Sequence, residues 1–246
     1  MKLQSLENKL LSLTKKAIYG YTMVEAGDKI MVGLSGGKDS LALLDLLYRL
    51  QKSLPVKYEL MACHVVATDM DYEVDRTFLD DFCQLRGVPL YYEDITVEYL
   101  AEQKKSACFV CSWKRRAALF DLRHKLGFNK LALGHHRDDA IATLLMNMVH
   151  HASISAIPPS LSMFGGDMHL IRPLILAPEA LILEYTTVKG YTREKKVCPY
   201  YNQSDRDGIK SLVAQMLHFN KDAQTNVFRA MQNIYPDYIV GPVEVK

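Results

Sequence analysis

Ser35-Gly36-Gly37-Lys38-Asp39-Ser40 is the stretch that most restricts what this chain can fold into. It follows Ile30-Met31-Val32-Gly33-Leu34, an apolar run that reads as a short buried strand. It precedes Leu41-Ala42-Leu43-Leu44-Asp45-Leu46-Leu47, whose leucines recur at helical spacing. Strand, double-glycine turn and helix start, in that order, predict a phosphate cradle. Adjacent glycines let the backbone approach a ligand closely and accept positive φ. The open N–H groups of a first helical turn favour an anion. Ser35 and Ser40 add hydroxyls, and Lys38 adds a point charge for phosphate oxygens. The spacing is not that of a Walker A loop, which needs a glycine where Val32 stands, nor that of G-x-G-x-x-G. The plainer alternative is an ordinary polar strand-to-helix turn.

The rest of the chain supplies a sheet for this turn to sit on. Further strands are expected at Tyr58–Val66, Pro89–Ile95, Lys130–Gly134 and His169–Pro173, the last closed by its proline. Helical patterns separate them, one of them marked by Val74, Phe78, Phe82 and Leu85. Alternating strands and helices predict an α/β fold, a Rossmann-like parallel sheet covered by helices on both faces. Ligands in such sheets sit at the carboxyl ends of the strands, where the glycine turn also falls. Leu3, Leu6, Leu10, Leu13 and Ala17 share one face of an N-terminal helix. Beyond Pro178 the pattern is helical, with one stripe at Ile209, Leu212, Val213, Met216 and Leu217 and another at Val227, Met231 and Ile234. Pro158-Pro159 and Gly165-Gly166 mark a long connection before the last strand.

With 246 residues there is room for one large domain and a small extension. The expected division is an N-terminal helix in 1–25, a nucleotide domain in 26–180 and a helical extension in 181–246. No apolar run reaches 18 residues, so no membrane span is expected. Lysines scattered through the first helix argue against a signal peptide and for a cytoplasmic protein.

Charge is uneven although the net is only +2. Between Val66 and Glu102 ten acidic residues face two arginines; between Lys104 and Lys130 eight basic residues face Asp121 alone. A basic stretch of this kind is either a solvated helix face or a contact for a phosphate backbone. It contains Cys108-Phe109-Val110-Cys111, followed by Ser112-Trp113-Lys114-Arg115-Arg116. A lone C-x-x-C serves redox dithiols, zinc sites and iron–sulfur clusters alike. A structural zinc site needs four ligands, and no second C-x-x-C exists. One more cysteine, Cys198, stands in Val197-Cys198-Pro199 after a second basic group, Lys189, Arg193, Lys195 and Lys196. Three thiolates suit an iron–sulfur cluster with one iron open to another ligand. Cys63 and Cys83 fall within a strand and a helix and read as core.

The fourth strand runs into Gly134-His135-His136-Arg137-Asp138-Asp139 and then a helix. Asp138 and Asp139 suit Mg²⁺ through carboxylate oxygen, or simply cap the helix and complement its dipole. His135 and His136 read equally well as structural or as working histidines.

Taken in order, SGGKDS, C-x-x-C with a basic tail, GHHRDD, Arg172-Pro173-Leu174 and a late cysteine resemble the tRNA 2-thiolation family of PP-loop ATPases. The resemblance runs from about Leu6 to about Pro236. It implies that SGGKDS, Gly134, His135 and Asp138 hold ATP and Mg²⁺, with Lys38, Asp39, Arg115 and Asp139 near the reacting groups. It implies that Cys108, Cys111 and Cys198 ligate a [4Fe–4S] cluster. It further implies a dimer, a tRNA anticodon loop as substrate and a sulfur donor such as a cysteine desulfurase. The activity implied is adenylation of a base at C2 and replacement of the oxygen by sulfur. The zinc-binding cysteine clusters that 2-thiouridine enzymes carry at both ends are missing, which points to the cytidine branch and to position 32 of tRNA. Two departures from that branch are a late segment with Cys198 alone instead of a second C-x-x-C, and an expected lack of a longer C-terminal tail. Two rival readings remain: another PP-loop enzyme, such as a lysidine synthetase, leaves the cysteines idle, and a metal-bound RNA-binding or redox-sensing protein leaves SGGKDS idle.

Overall fold

The computed structural model describes residues 2–70, 74–98, 106–191 and 206–238. Its elements are α1 (Lys2–Gly20), β1 (Lys29–Gly33), α2 (Lys38–Leu50), β2 (Glu59–Ala67), α3 (Arg76–Gln84), β3 (Leu90–Ile95), α4 (Ala107–Lys125), β4 (Lys130–Ala132), α5 (Arg137–His151), β5 (Ser160–Met163), β6 (Met168–Ile171), α6 (Glu179–Val188), α7 (Arg206–Phe219) and α8 (Ala223–Ala230). Two compact units are distinguished. One comprises residues 1–137 and 157–204, and the other 138–156 and 205–246.

The first unit holds a six-stranded sheet in the order β3-β2-β1-β4-β6-β5. β1 pairs in parallel with both β2 and β4, so Ile30 lies between Leu60 and Lys130, and Val32 between two alanines, Ala62 and Ala132. The chain builds outward from β1 to β3, then returns to the other side of β1 for β4. That reversal opens a crevice at the carboxyl ends of β1 and β4, where open α/β sheets take their ligands. α2 packs on β1, with α1 and α6 packed on α2 and on each other, while α4 packs against β2, β3 and β4. Leu41, Leu43, Leu44, Leu46 and Leu47 of α2 are all wholly buried. Each contributes about 1.5–3 kcal/mol by leaving water, which roots the helix that begins at the glycine turn. Under α4 the sheet offers Met31, Met61, Cys63, Val65, Leu131, Met168 and Leu170 to Leu119 and Leu122.

The expected strands all form, with ends shifted by one or two residues. The connection before the last strand differs from expectation: it contains β5, which pairs antiparallel with β6 around a tight turn at Phe164–Gly166. Four residues with two serines give too short a signal for a strand; pairing with β6 makes it one. In the second unit α7 packs against α8. Ile209 and Val213 of the expected stripe are buried, but Leu212 and Leu217 are about 40% exposed. On α8 the buried side chain is Phe228, not Val227.

Candidate nucleotide and sulfur-transfer site

The turn after β1 is closed by its own side chains. The Ser40 hydroxyl accepts from the Ser35 N–H at 3.1 Å and donates to the Gly37 carbonyl at 2.9 Å, while the Gly37 N–H donates to the Ser35 hydroxyl. Gly36 sits at φ +80, which an L side chain adopts only under strain. Gly37 then caps α2 in extended conformation with no side-chain cap. The N–H groups of Lys38 and Asp39 therefore face the turn without a backbone acceptor among the described residues, as first-turn groups do. This is an anion cradle at a helix N-terminus.

Lys38 reaches across it to two carboxylates, Asp39 at 2.8 Å and Glu179 of α6 at 2.9 Å. Burial pulls its ammonium down, but the two carboxylates outweigh that and hold it above its ordinary value. Asp39 keeps its other oxygen, Oδ1, buried and without a hydrogen-bond partner among the described residues. His136 Nε2 lies 3.8 Å from it. A buried carboxylate oxygen with no donor is costly unless a cation or ligand group meets it. Asp39 thus fits a Mg²⁺ ion shared with the phosphates.

Gly134 brings the end of β4 against the cradle. A β-carbon there would stand 3.0 Å from the Asp39 carbonyl carbon and 3.1 Å from the Ser40 nitrogen. His135, next along, has Nδ1 3.4 Å from Nε of Arg172, and His136 is buried. Asp138 and Asp139 lie in the first turn of α5, in the second unit.

On the other side of β1, His64 of β2 is buried, with Nδ1 2.7 Å from the carbonyl of Leu34, the residue before the turn. That carbonyl only accepts, so Nδ1 carries the hydrogen. Burial lowers the imidazole's affinity for a second proton, and Arg115 and Arg76 lower it further. His64 opens onto a cavity of about 420 Å³ lined also by Val66, Thr68, Met70 and Arg76. The cavity follows the carboxyl end of β2, and its size falls in the range of small-molecule sites.

α4 starts at the same edge of the sheet, since it follows the carboxyl end of β3. Ser106 caps it, its hydroxyl accepting from the Phe109 N–H at 3.3 Å. Cys108 is exposed and Cys111 half-buried in the turns that follow, and Arg115 comes one turn later. Lys114 is committed elsewhere, to the Thr96 carbonyl at 2.8 Å and to Glu98. Of the second basic group, Lys189 pairs with Glu7 at 3.2 Å, and the other three members lie outside the described residues. Cys198 lies outside them too. Among the described residues no three His, Cys, Asp or Glu side chains form a metal-holding group. The donor set still discriminates: burial pushes the thiols of Cys63 and Cys83 up to about 12, which disqualifies them as thiolates, whereas Cys108 and Cys111 reach solvent.

Sequence reasoning singled out the turn, Gly134 and His135; Gly134 meets the turn, while His135 lies against Arg172. It missed His64 and Glu179, and left His136 open between a structural and a working role. A histidine inside an apolar strand and a glutamate just after Pro178 were the available signals.

The PP-loop domain family matches residues 3–215. The tRNA-cytidine(32) 2-sulfurtransferase of Alkalilimnicola ehrlichii is 34% identical over 244 residues, covering 97% of this chain and 77% of the relative. That of Neisseria meningitidis is 36% identical over 248 residues, covering 96% and 76%. Among solved structures, the U34-tRNA thiolase NcsA from Methanococcus maripaludis, with its [4Fe-4S] cluster, superposes with a TM-score of 0.78 at 22% identity, over 99% of this chain and 83% of that one. The latter similarity is one of fold. A nucleotide cradle on β1, a cysteine pair in the first turns of α4 and relatives alike over almost the whole length lead to one conclusion: the chain belongs to the PP-loop family and, within it, to the group of the tRNA-cytidine(32) 2-sulfurtransferases.

Proposed function

We propose that the protein is an ATP-dependent tRNA sulfurtransferase that converts a cytidine of the anticodon loop, at position 32, to 2-thiocytidine. The observation that carries the reading is the cradle at Gly36–Ser40, sharing one edge of the sheet with the cysteine pair of α4. The related sulfurtransferases support the substrate.

In this reading the cradle and Lys38 hold the β- and γ-phosphates, and the cavity beside His64 takes the nucleoside. Asp39 would hold Mg²⁺ beside those phosphates. The cytidine C2 oxygen attacks the α-phosphorus; the bond to pyrophosphate breaks and pyrophosphate leaves with its electron pair. A sulfur nucleophile then attacks the adenylated C2, the C–O bond breaks and AMP departs. Arg115 and the helix N-terminus stabilise the charge that develops on the phosphates. Cys108, Cys111 and Cys198 would hold a [4Fe–4S] cluster, which when bound would supply the sulfur nucleophile. A cysteine desulfurase is the expected source of that sulfur, a homodimer the expected assembly and the cytoplasm the expected compartment. No helix among the described residues is long and apolar enough to cross a membrane.

Two measurements test this. Nucleoside analysis of tRNA from a strain lacking the protein should show 2-thiocytidine gone; loss of 2-thiouridine instead would transfer the protein to the uridine branch. Lys38→Ala should abolish pyrophosphate release while the fold and any bound iron persist, and full thiolation by that variant would contradict the assignment.

A further inference from the structure

β6 ends at Ile171, and the next side chain, Arg172, is only 7% exposed. Its Nη1 donates to the Pro158 carbonyl at 2.5 Å, and its Nε meets His135 at 3.4 Å. Two other well-covered guanidinium groups have carboxylates: Arg86 has Asp45, and Arg123 has Asp167. Arg172 has none among the described residues. α4 runs past the β5–β6 hairpin, with Arg123 bonded to Asp167 and Phe120 against Phe164. The next turn back carries a second cation, Arg116, which acts on Arg172 electrostatically and donates from Nε to the Ser112 carbonyl of its own helix. Burial, and then Arg116, pulls Arg172 down to about 10, so it remains charged at neutral pH without a counterion among the described residues. A buried cation facing another cation is unfavourable unless an anion joins them.

The strand order gives the anion its place. β6 lies beside β4, and β4 beside β1. Arg172 is therefore two strand spacings, about 10 Å, from the phosphate turn. It lies on the side away from the cavity at β2. From this juxtaposition we propose that Arg172 and Arg116 form a second phosphate subsite, separate from the cradle, that takes a phosphodiester of the RNA beside the reacting nucleotide. The subsite rests on the sulfurtransferase reading above. Guanidinium groups suit it because their fork matches phosphate oxygens.

The test uses the full chain and an anticodon stem–loop RNA. Arg116→Ala alters an exposed helix position, and Arg172→Lys keeps the charge but loses the fork. Each should weaken RNA binding roughly tenfold, with Arg116→Ala lowering the slope of log affinity against log salt by about one. ATP and inorganic pyrophosphate, titrated separately, should bind both variants as they bind the parent. Weaker pyrophosphate binding with RNA binding intact would give the subsite to the nucleotide and overturn the RNA assignment. Unchanged binding of all three ligands would overturn the subsite itself. A parent protein that binds no RNA would overturn the sulfurtransferase reading and this inference with it.

Discussion

At the scale of single residues, Gly134 approaches the backbone of Asp39 and Ser40 so closely that a β-carbon would stand 3.0 Å from the Asp39 carbonyl carbon. The atoms a side chain would strike are backbone, which cannot swing aside as a side-chain end can. Gly134→Ala should cost roughly 1–3 kcal/mol of stability by overpacking and weaken ATP binding by about tenfold or more through displacement of the turn. Gly20→Ala, at the exposed end of α1 with nothing within 4 Å, is the control and should change neither. Isothermal titration with ATP and denaturant unfolding read the two effects. His64 makes a second residue-scale prediction. Its native imidazole resists protonation, so below its ordinary value of 6.5 the unfolded chain binds a proton the folded chain does not. Stability must then fall as pH drops through 6.5 toward the lowered native value. Urea midpoints at pH 7.5, 6.5 and 5.5 should fall more steeply for the parent than for His64→Asn. Parallel curves would mean that His64 carries no such linkage.

At the scale of elements, α2 is gripped at its middle by a buried ion network. Asp45 is 1% exposed and accepts from Arg86 of the loop after α3 at 2.6 and 2.8 Å, from Arg49 at 2.9 Å and from the Tyr185 hydroxyl of α6. Arg86 also stacks on Phe82, 3.6 Å from the ring centre. Burial raises the Asp45 carboxyl, but Tyr185 and the two arginines hold it below its usual value. Its contribution to stability is thus present at neutral pH and lost as pH falls below 3.8 toward the lowered native value. Asp45→Ala would leave two guanidinium groups around an empty centre. The expected loss is about 3–5 kcal/mol, measurable as a lower denaturation midpoint, and ATP binding should weaken with it because α2 carries the cradle. Normal stability in that variant would mean that the arginines find other partners.

At the scale of the whole molecule, the sheet and its phosphate turn were legible because they rest on local patterns: apolar runs, paired glycines and leucines at helical spacing. What stayed hidden is held by long-range pairing. β5 exists only because β6 lies beside it. Lys114 reads as free basic surface until the Thr96 carbonyl is found against it. The lack of a carboxylate for Arg172 is a fact about the described fold that no local window contains. The cysteines divide the same way, since burial separates Cys63 and Cys83 from Cys108 and Cys111. Anaerobically purified protein should contain iron and acid-labile sulfide. Cys108→Ala, Cys111→Ala and Cys198→Ala should each remove both along with thiolation, while Cys63→Ala and Cys83→Ala cost only packing, about 1–3 kcal/mol each. Full activity in a preparation holding zinc alone would refute the cluster.

The two carboxylates around Lys38 have an electrical consequence. One ammonium against Asp39 and Glu179 sums to a single negative charge, and the N-terminus of α2 restores only about half a positive unit. The resting cradle is therefore slightly anionic, an inhospitable place for a naked polyphosphate. The nucleotide must bring its own counter-charge. Order-of-addition titrations should show ATP binding weakly in a chelator and at least tenfold more tightly once divalent cation is restored. Glu179→Gln, which removes one of the two opposing charges, should narrow that gap.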